Sequence, residues 1–340
     1  MEIYGVRGTV SEWIKSYLSN RKQYVVYNNT SSEKLLIKCG VPQGSILGPL
    51  LFILYINDLW NISEQLNFIL FADDTNLFYS NKSIDSLVET LNKELETLIL
   101  WFKINKLSLN VAKTNYLIFG KKSYADKIKL FMQSKEIMRV SDTKFLGVLV
   151  DERFSWKKQI EYVENKMSKG IGIMYRVKSK LDKKSLHMLY VTLILPYLNY
   201  CSEIWGNTYD ARLKRIITLQ KRAIRIIEGL KFSDHTSQTF AKYKCLKFKD
   251  IVELKNCIQA FKASKNELPC MLQKRYARIS QIHNHKTRCH SNIYVNKAKT
   301  NLKNMCPSVR GIKQFNCISK QIKSAKTIHA FKRNMKKKDV

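Results

Sequence analysis

The chain has 340 residues, 45% of them hydrophobic and 26% charged, which excludes wholesale disorder and leaves room for one large or two ordinary domains. Sixty Lys and Arg against 27 acids give a formal charge of +33. Such a surplus repels itself unless something anionic binds it, so nucleic acid is the expected partner, ahead of an acidic membrane surface. The longest apolar stretch, Ile46 to Ile56, is interrupted by Gly48 and Pro49 and falls well short of the roughly 20 residues that a spanning helix needs.

The charge is unevenly spread. Residues 1–120 hold 11 basic and 11 acidic residues, residues 121–230 hold 23 and 11, and residues 231–340 hold 26 and 5. A neutral first part therefore precedes a basic one. The eight cysteines include no C-x-x-C pair, and the opening Met1-Glu2-Ile3-Tyr4-Gly5 has neither the basic start nor the apolar run of a secretory leader. Free thiols in a reducing setting inside the cell, nucleus or cytoplasm, are expected.

In chain order, Thr9-Val10-Ser11-Glu12 reads as a capping box, and Val10, Trp13, Ile14, Tyr17 and Leu18 predict a short amphipathic helix. Residues 23–27 and 34–39 are β-prone and flank Asn28-Asn29-Thr30-Ser31-Ser32, which predicts a hairpin. Gly40-Val41-Pro42-Gln43-Gly44-Ser45 reads as a loop, followed by a helix with Pro49 near its first turn. That helix is apolar almost all round, which predicts burial. Residues 67–79 read as two apolar strands meeting at Asp73 and Asp74. After Ser83 as N-cap, Ile84, Leu87, Val88, Leu91, Leu95, Leu98 and Phe102 form a helical stripe. Two β-prone runs follow, 115–119 and 144–150. From Trp156 the period is helical: Ile160, Val163, Met167, Ile171 and Met174 mark one helix, and 183–195 and 212–228 supply two more. In the last, Ile216, Leu219, Ala223 and Ile226 make the apolar stripe, while Lys214, Lys221 and Arg225, with Arg215 and Arg222 beside them, lie on another face suited to phosphates. Beyond residue 231 periodicity weakens.

Adjacent carboxylates at a turn repel, and a divalent cation relieves this. A solvated turn is the ordinary reading of such a pair. The flanking Phe68-Ile69-Leu70-Phe71-Ala72 and Leu77-Phe78-Tyr79 weigh against it. His283-x-His285-x-x-x-Cys289-His290, with Cys306 and Cys317 downstream, is another cluster of metal-ligand types, but its spacing fits no standard finger. Ordinary polar residues are expected there. Trp156, Tyr175, Tyr190, Tyr197, Tyr200 and Trp205 suit base stacking, though most are expected in a helical core.

Gly40-Val41-Pro42-Gln43-Gly44-Ser45-Ile46-Leu47-Gly48-Pro49-Leu50-Leu51-Phe52, then Tyr55-Ile56-Asn57-Asp58, then Phe71-Ala72-Asp73-Asp74, resembles the reverse transcriptase of non-long-terminal-repeat retrotransposons, in particular the arthropod jockey-like group. The likeness extends through Trp205-Gly206-Asn207-Thr208 and Gln220-Lys221-Arg222-Ala223-Ile224-Arg225, and more weakly through Arg310-Gly311-Ile312-Lys313 to Phe331-Lys332. It implies an α+β chain: a partial right-hand polymerase palm over 1–150, a mixed sheet with helices, then a helical thumb over 151–230 and a basic helical tail over 231–340. Asp73 and Asp74 would bind Mg²⁺ or Mn²⁺, in a scheme where two ions about 3.5–4 Å apart serve the primer 3′-hydroxyl and the leaving pyrophosphate. Gly40, Pro42, Gln43, Gly44 and Ser45 would face template-primer and incoming nucleotide, with Gly44 offering bare backbone; an ordinary strand-to-helix turn is the alternative. Lys113 would stabilise the pyrophosphate, or is simply a solvated charge. Phe145-Leu146-Gly147 resembles the primer grip, although as residues alone they read as a strand. RNA template, DNA primer and deoxynucleotides are the implied partners, with no membrane, and no stable protein partner is predictable.

One departure is at the front. The family carries a further metal-binding aspartate in a strand upstream of a segment resembling Tyr4-Gly5-Val6-Arg7-Gly8, whereas the acids before Gly40 here are Glu2, Glu12 and Glu33. The expectation is an N-terminally truncated enzyme with weak or no polymerase activity by itself, the alternative being a non-catalytic RNA or DNA binder acting through its basic part.

Overall fold

The computed structural model describes residues 2–38, 40–120, 128–282, 285 and 292–338. These fall into two compact units, residues 2–116 with 128–138, and residues 117–120 with 139–338. The chain is α+β, with helices of up to 21 residues and short strands that pair only two at a time among the described residues. The mixed palm sheet expected from the resemblance is therefore not formed within them.

In the first unit, α1 (Gly8–Leu18) precedes β1 (Lys22–Gln23), β2 (Val26–Tyr27), β3 (Thr30–Ser31) and β4 (Leu35–Leu36). β1 pairs with β4 and β2 with β3, so the segment is one interrupted hairpin, closed at Asn28 and Asn29, which both take positive φ. Asparagine tolerates this left-handed geometry because its short amide bonds locally. α2 (Leu47–Ile56) follows, then β5 (Asn67–Phe71), β6 (Asp74–Phe78) and α3 (Ile84–Ile104). Ser83 caps α3 through its side chain, and the stripe turns Leu95, Leu98 and Phe102 into the core beside Leu59 and Met132. Asn92 fixes the next segment to α3, accepting from the Phe131 amide at 3.0 Å.

The predicted burial of α2 is not found. Gly48 and Ile56 are buried, but Leu50 and Ile53 are 53% and 51% exposed. An all-round apolar helix reports that something can cover every side; within the described residues Leu50 and Ile53 face no such cover.

The first unit also holds β7 (Asn115–Tyr116), β8 (Phe131–Met132) and β9 (Lys135–Glu136); β10 (Met138–Arg139) leads to β11 (Asp142–Phe145) and β12 (Val148–Asp151) of the second unit. The 144–150 run is thus not one strand. It turns back at Leu146 and Gly147, with Phe145 paired to Val148.

The second unit is helical: α4 (Lys157–Val177), α5 (Lys183–Leu193), α6 (Leu195–Asn199), α7 (Ser202–Trp205), α8 (Asp210–Glu228), α9 (Ser237–Lys242) and α10 (Phe248–Ser264). Ile160, Val163, Met167, Ile171 and Met174 of α4 are all buried against Ile216, Ala223 and Ile224 of α8, with Tyr190 and Trp205 in the same core. Two buried polar clusters, one of Gln220 and one of Asn207 with Asn256, tie the helices together. Gln220 donates to the Tyr190 hydroxyl and the Leu246 carbonyl, both at 3.0 Å, and accepts from the Phe248 amide at 2.8 Å; that amide opens α10 and has no intrahelical partner. Asn207 and Asn256 exchange hydrogen bonds at 2.9 and 3.0 Å.

Where periodicity weakens in the sequence, α10 continues into a second core with α13 (Pro307–Cys317) and α15 (Ile328–Lys338), built around Phe261, Ile312, Phe315 and Phe331. Shorter α11 (Cys270–Gln273), α12 (Asn301–Met305) and α14 (Lys320–Lys323) complete this part. The pattern is faint because α10 buries more than one face, including Phe248, Ile251, Val252, Cys257 and Phe261.

Glu228 closes α8 onto its neighbours, accepting from Lys183 at 2.7 Å, Lys242 at 2.8 Å and the Tyr243 hydroxyl at 2.8 Å. These bonds, Lys183's first, hold its carboxyl at about 2, below the ordinary 4.5. A carboxylate depressed on folding stabilises the native state fully above its unfolded pKa and progressively less as pH falls toward the folded one. Glu228→Gln is therefore expected to lower Tm at neutral pH and to flatten the decline in Tm between pH 4.5 and 2. Parallel Tm–pH curves for the two proteins would contradict this.

Candidate functional site

β5 and β6 pair in register from Asn67↔Phe78 to Phe71↔Asp74, which leaves Ala72 and Asp73 as a two-residue turn. Ala72 has φ 50°, a left-handed geometry that costs a residue with a Cβ roughly 1–2 kcal/mol. The turn is tight because hairpins of this length need positive φ at their first central position. It carries Asp73 at the tip and Asp74 as the first residue of β6, both exposed. Neither carboxylate has a hydrogen-bond or ion-pair partner among the described residues. Behind the tip the strands alternate, with Phe68 and Leu70 half-buried and Ile69 and Phe71 exposed. Two neighbouring hard oxygen donors suit Mg²⁺, which is held by one or two carboxylates together with substrate phosphates. Among the described residues no group of three or more His, Cys, Asp or Glu is placed to hold a metal ion. His283, Cys289 and His290 lie outside the described residues.

The glycine-rich loop folds by its own turn chemistry. The Ser45 amide donates to the Pro42 carbonyl at 3.2 Å, and Gly44, third of the four turn residues, has φ 83°, as a type II turn requires. Gly40 is also left-handed at φ 80°, and no atom lies within 4 Å of where a Cβ would stand on either. Their need is for backbone conformation, with open space in front. Ser45 accepts from the Gly48 amide at 3.0 Å, seating the loop on the start of α2. A Cβ on Gly48 would lie 2.9 Å from that hydroxyl oxygen. Pro42 and Gln43 are exposed.

Lys113 ends a 3-10 turn, Val111–Lys113, capped by Asn110, whose side chain accepts from the Lys113 amide at 3.2 Å. Its ammonium is exposed.

In the second unit, Leu146 and Gly147 form the β11–β12 turn with φ 45° and 86°. The Tyr200 hydroxyl donates to the Leu146 carbonyl at 2.5 Å, and its ring lies 3.2 Å from where a Cβ on Gly147 would stand. Glycine is thus demanded there both by φ and by contact. Gly147→Ala is expected to destabilise the protein by roughly 1–3 kcal/mol in chemical denaturation, and an unchanged midpoint would show that the turn is not held in this form.

α8 presents Lys214, Arg215, Lys221 and Arg222 to solvent. Among the described residues Lys214, Lys221 and Arg222 make no ion pair. Arg215 stands 3.5 Å from Glu164, whose carboxyl burial pushes above its usual value while Arg215 pulls it back. Arg225 is committed differently: its Nε and Nη2 donate to the Asp234 carbonyl at 3.1 and 3.0 Å. Of the six aromatics singled out in the sequence, Trp156, Tyr190 and Trp205 are core, Tyr197 is partly buried, and Tyr175 and Tyr200 are exposed. Periodicity gave no hint of Arg212, which packs over Tyr209 at 5.4 Å and donates to the Ser155 carbonyl.

Residues 2–162 match the reverse transcriptase (RNA-dependent DNA polymerase) family. The chain is 27% identical over 223 residues to the probable RNA-directed DNA polymerase from transposon X-element of Drosophila melanogaster, covering 64% of this chain and 24% of that protein. It is 28% identical over 225 residues to the corresponding protein of transposon BS of the same species, covering 63% and 25%. With the RNA-directed DNA polymerase from mobile element jockey, again of Drosophila melanogaster, it shares 24% identity over 272 residues, covering 77% and 29%. The chain thus spans about a quarter of the length of these relatives.

Proposed function

We propose, from the premise that residues 2–162 of this chain belong to the reverse transcriptase family, that it acts in RNA-directed DNA synthesis, with Asp73 and Asp74 as the metal-binding pair. The observation that carries this reading is the tight β5–β6 turn, which spends backbone strain at Ala72 to hold two adjacent, unpartnered carboxylates in solvent. When bound there, Mg²⁺ or Mn²⁺ supplies Lewis-acid activation of the primer 3′-hydroxyl and charge neutralisation at the leaving pyrophosphate. The chain's own residues do the rest. The Gln43-Gly44 turn offers open backbone to template-primer and deoxynucleotide, and the Lys113 ammonium balances charge developing on pyrophosphate. Phe145-Leu146-Gly147 steadies the primer end, and the α8 face with Lys214, Arg215, Lys221 and Arg222 holds the phosphates of an RNA template paired with a DNA primer. Arg225 contributes through the turn it clamps. Such a template and primer put the protein at work in the nucleus or cytoplasm. In polymerase terms, residues 1–150 serve as palm, 151–230 as thumb and 231–340 as a basic tail.

Synthesis by this stretch alone is weak in this reading, because only two carboxylates come together among the described residues. A missing member of a metal clamp forfeits several kcal/mol, and about 4 kcal/mol is a thousandfold in rate. Purified protein given primed RNA, deoxynucleotides and Mg²⁺ is expected to show slow primer extension that disappears in Asp73→Ala. Extension surviving that change would remove the assignment.

A second reading, nucleic-acid binding without catalysis, is favoured by one feature: the unpaired cations of α8. On duplex, Lys221→Ala is expected to reduce the slope of log affinity against log salt by about 0.9. An unaltered slope would show that Lys221 meets no phosphate.

A further inference from the structure

α8 ends at Gly229, left-handed at φ 78°, where the Gly229 and Leu230 amides both donate to the Arg225 carbonyl, at 2.9 and 3.0 Å. The next four residues close a tight turn in three ways. The Asp234 amide donates to the Lys231 carbonyl at 3.2 Å, the Asp234 carboxylate accepts from the Lys231 amide at 2.7 Å, and the Asp234 carbonyl takes both Arg225 donors. At the tip stands Phe232, 83% exposed, with the Arg225 guanidinium 5.6 Å from its ring centre. Turn geometry does not call for a phenylalanine at this position; proline, serine, aspartate and glycine are the residues turns favour. A phenyl ring held in water by a braced turn forgoes the burial that usually justifies the residue.

Phe232 also continues a line of charge. Lys214, Lys221 and Arg225 are spaced by seven and four residues and so share one face of α8, over about 16 Å of helix. The ring sits where that line ends. Its chain neighbours are Lys231 and Ser233, and the contact on its ring is the Arg225 guanidinium, a polar and cationic setting unlike the apolar surround of an aromatic that anchors a protein interface. Cationic groups in file with an exposed aromatic are what a single nucleic-acid strand meets: phosphates follow the charges and a base lies on the ring. The Arg225 guanidinium backs one side of the ring and favours it through the cation–π interaction, while the exposure leaves ring surface for a base.

We propose that Phe232 is a base-stacking residue, receiving an unpaired nucleobase at the end of the strand whose phosphates run along Lys214 and Lys221. This rests on the reading of the α8 face as a nucleic-acid surface. Stacking needs a base but no particular one, so the contact adds affinity without sequence preference.

The test uses the full chain with two fluorescent probes, an oligo(dT) strand and a strand of equal length made of abasic sites, read by anisotropy. Phe232→Ala is expected to weaken oligo(dT) binding about tenfold and to leave abasic-strand binding and Tm unchanged, since the ring is outside the core. Phe232→Trp is expected to keep the affinity and to have its fluorescence quenched by oligo(dT) alone. Equal affinity of Phe232→Ala and the unaltered chain for oligo(dT), or an equal loss on both probes, overturns the proposal. If the unaltered chain binds neither probe, the α8 reading itself fails, and the stacking role with it.

Discussion

The placing of Asp73 and Asp74 side by side at one turn is the constraint on which the proposed chemistry of the first unit depends. Two like charges a few ångströms apart in water cost about 1 kcal/mol, and the cost rises steeply when a triphosphate and a nucleic-acid backbone displace that water. No lysine or arginine among the described residues pairs with either carboxylate. In the proposed reading a cation arrives with the substrates. The backbone beneath the pair is set by a two-residue turn, a left-handed alanine and a ladder of five paired positions.

Charge is divided between the two units in the sense this chemistry needs. The neutral 1–120 segment does not add its own anionic field to that of the two aspartates, and the positive surplus is carried by residues after 120. In the second unit the apolar stripes of α4 and α8 form one core, which leaves the cations of these two helices on their outer faces. The buried amides of Gln220 and Asn256 lock helices that hydrophobic packing alone would let slide. A basic face fixed in this way presents its cations at a constant spacing, as the proposed contact with a phosphate backbone requires.

How much of this was legible in the sequence differs by element, for physical reasons. α3 and α4 were readable because each buries a single stripe, and Ser83 announces its helix through a side-chain cap. The β5–β6 hairpin was readable because apolar runs on both sides of Asp73 and Asp74 leave no other place for the turn. The β11–β12 turn was not: Leu146-Gly147 lacks the Asn-Gly or Asp-Gly signature, and its stability comes from Tyr200, distant in sequence. α10 was hidden because it is buried on more than one side and so loses its period. α2 misled for the opposite reason, since its apolar circumference signals a covering that the described residues do not provide. Arg225 was read as a phosphate ligand from its place on the helix; its bonds to Asp234 depend on a turn that helical periodicity cannot see.

The central claim, that Asp73 and Asp74 hold the divalent ion, is open to a direct measurement independent of turnover. Fe²⁺ replaces Mg²⁺ at sites of oxygen ligands, and peroxide then generates hydroxyl radicals that cut the polypeptide beside the ion. With template-primer and deoxynucleotide present, the chain is expected to be cut around Ala72–Thr75, with protection by excess Mg²⁺ and no cut in the Asp73→Asn, Asp74→Asn double variant. Cleavage centred elsewhere, or a cut at this turn that persists in the double variant, would contradict the account.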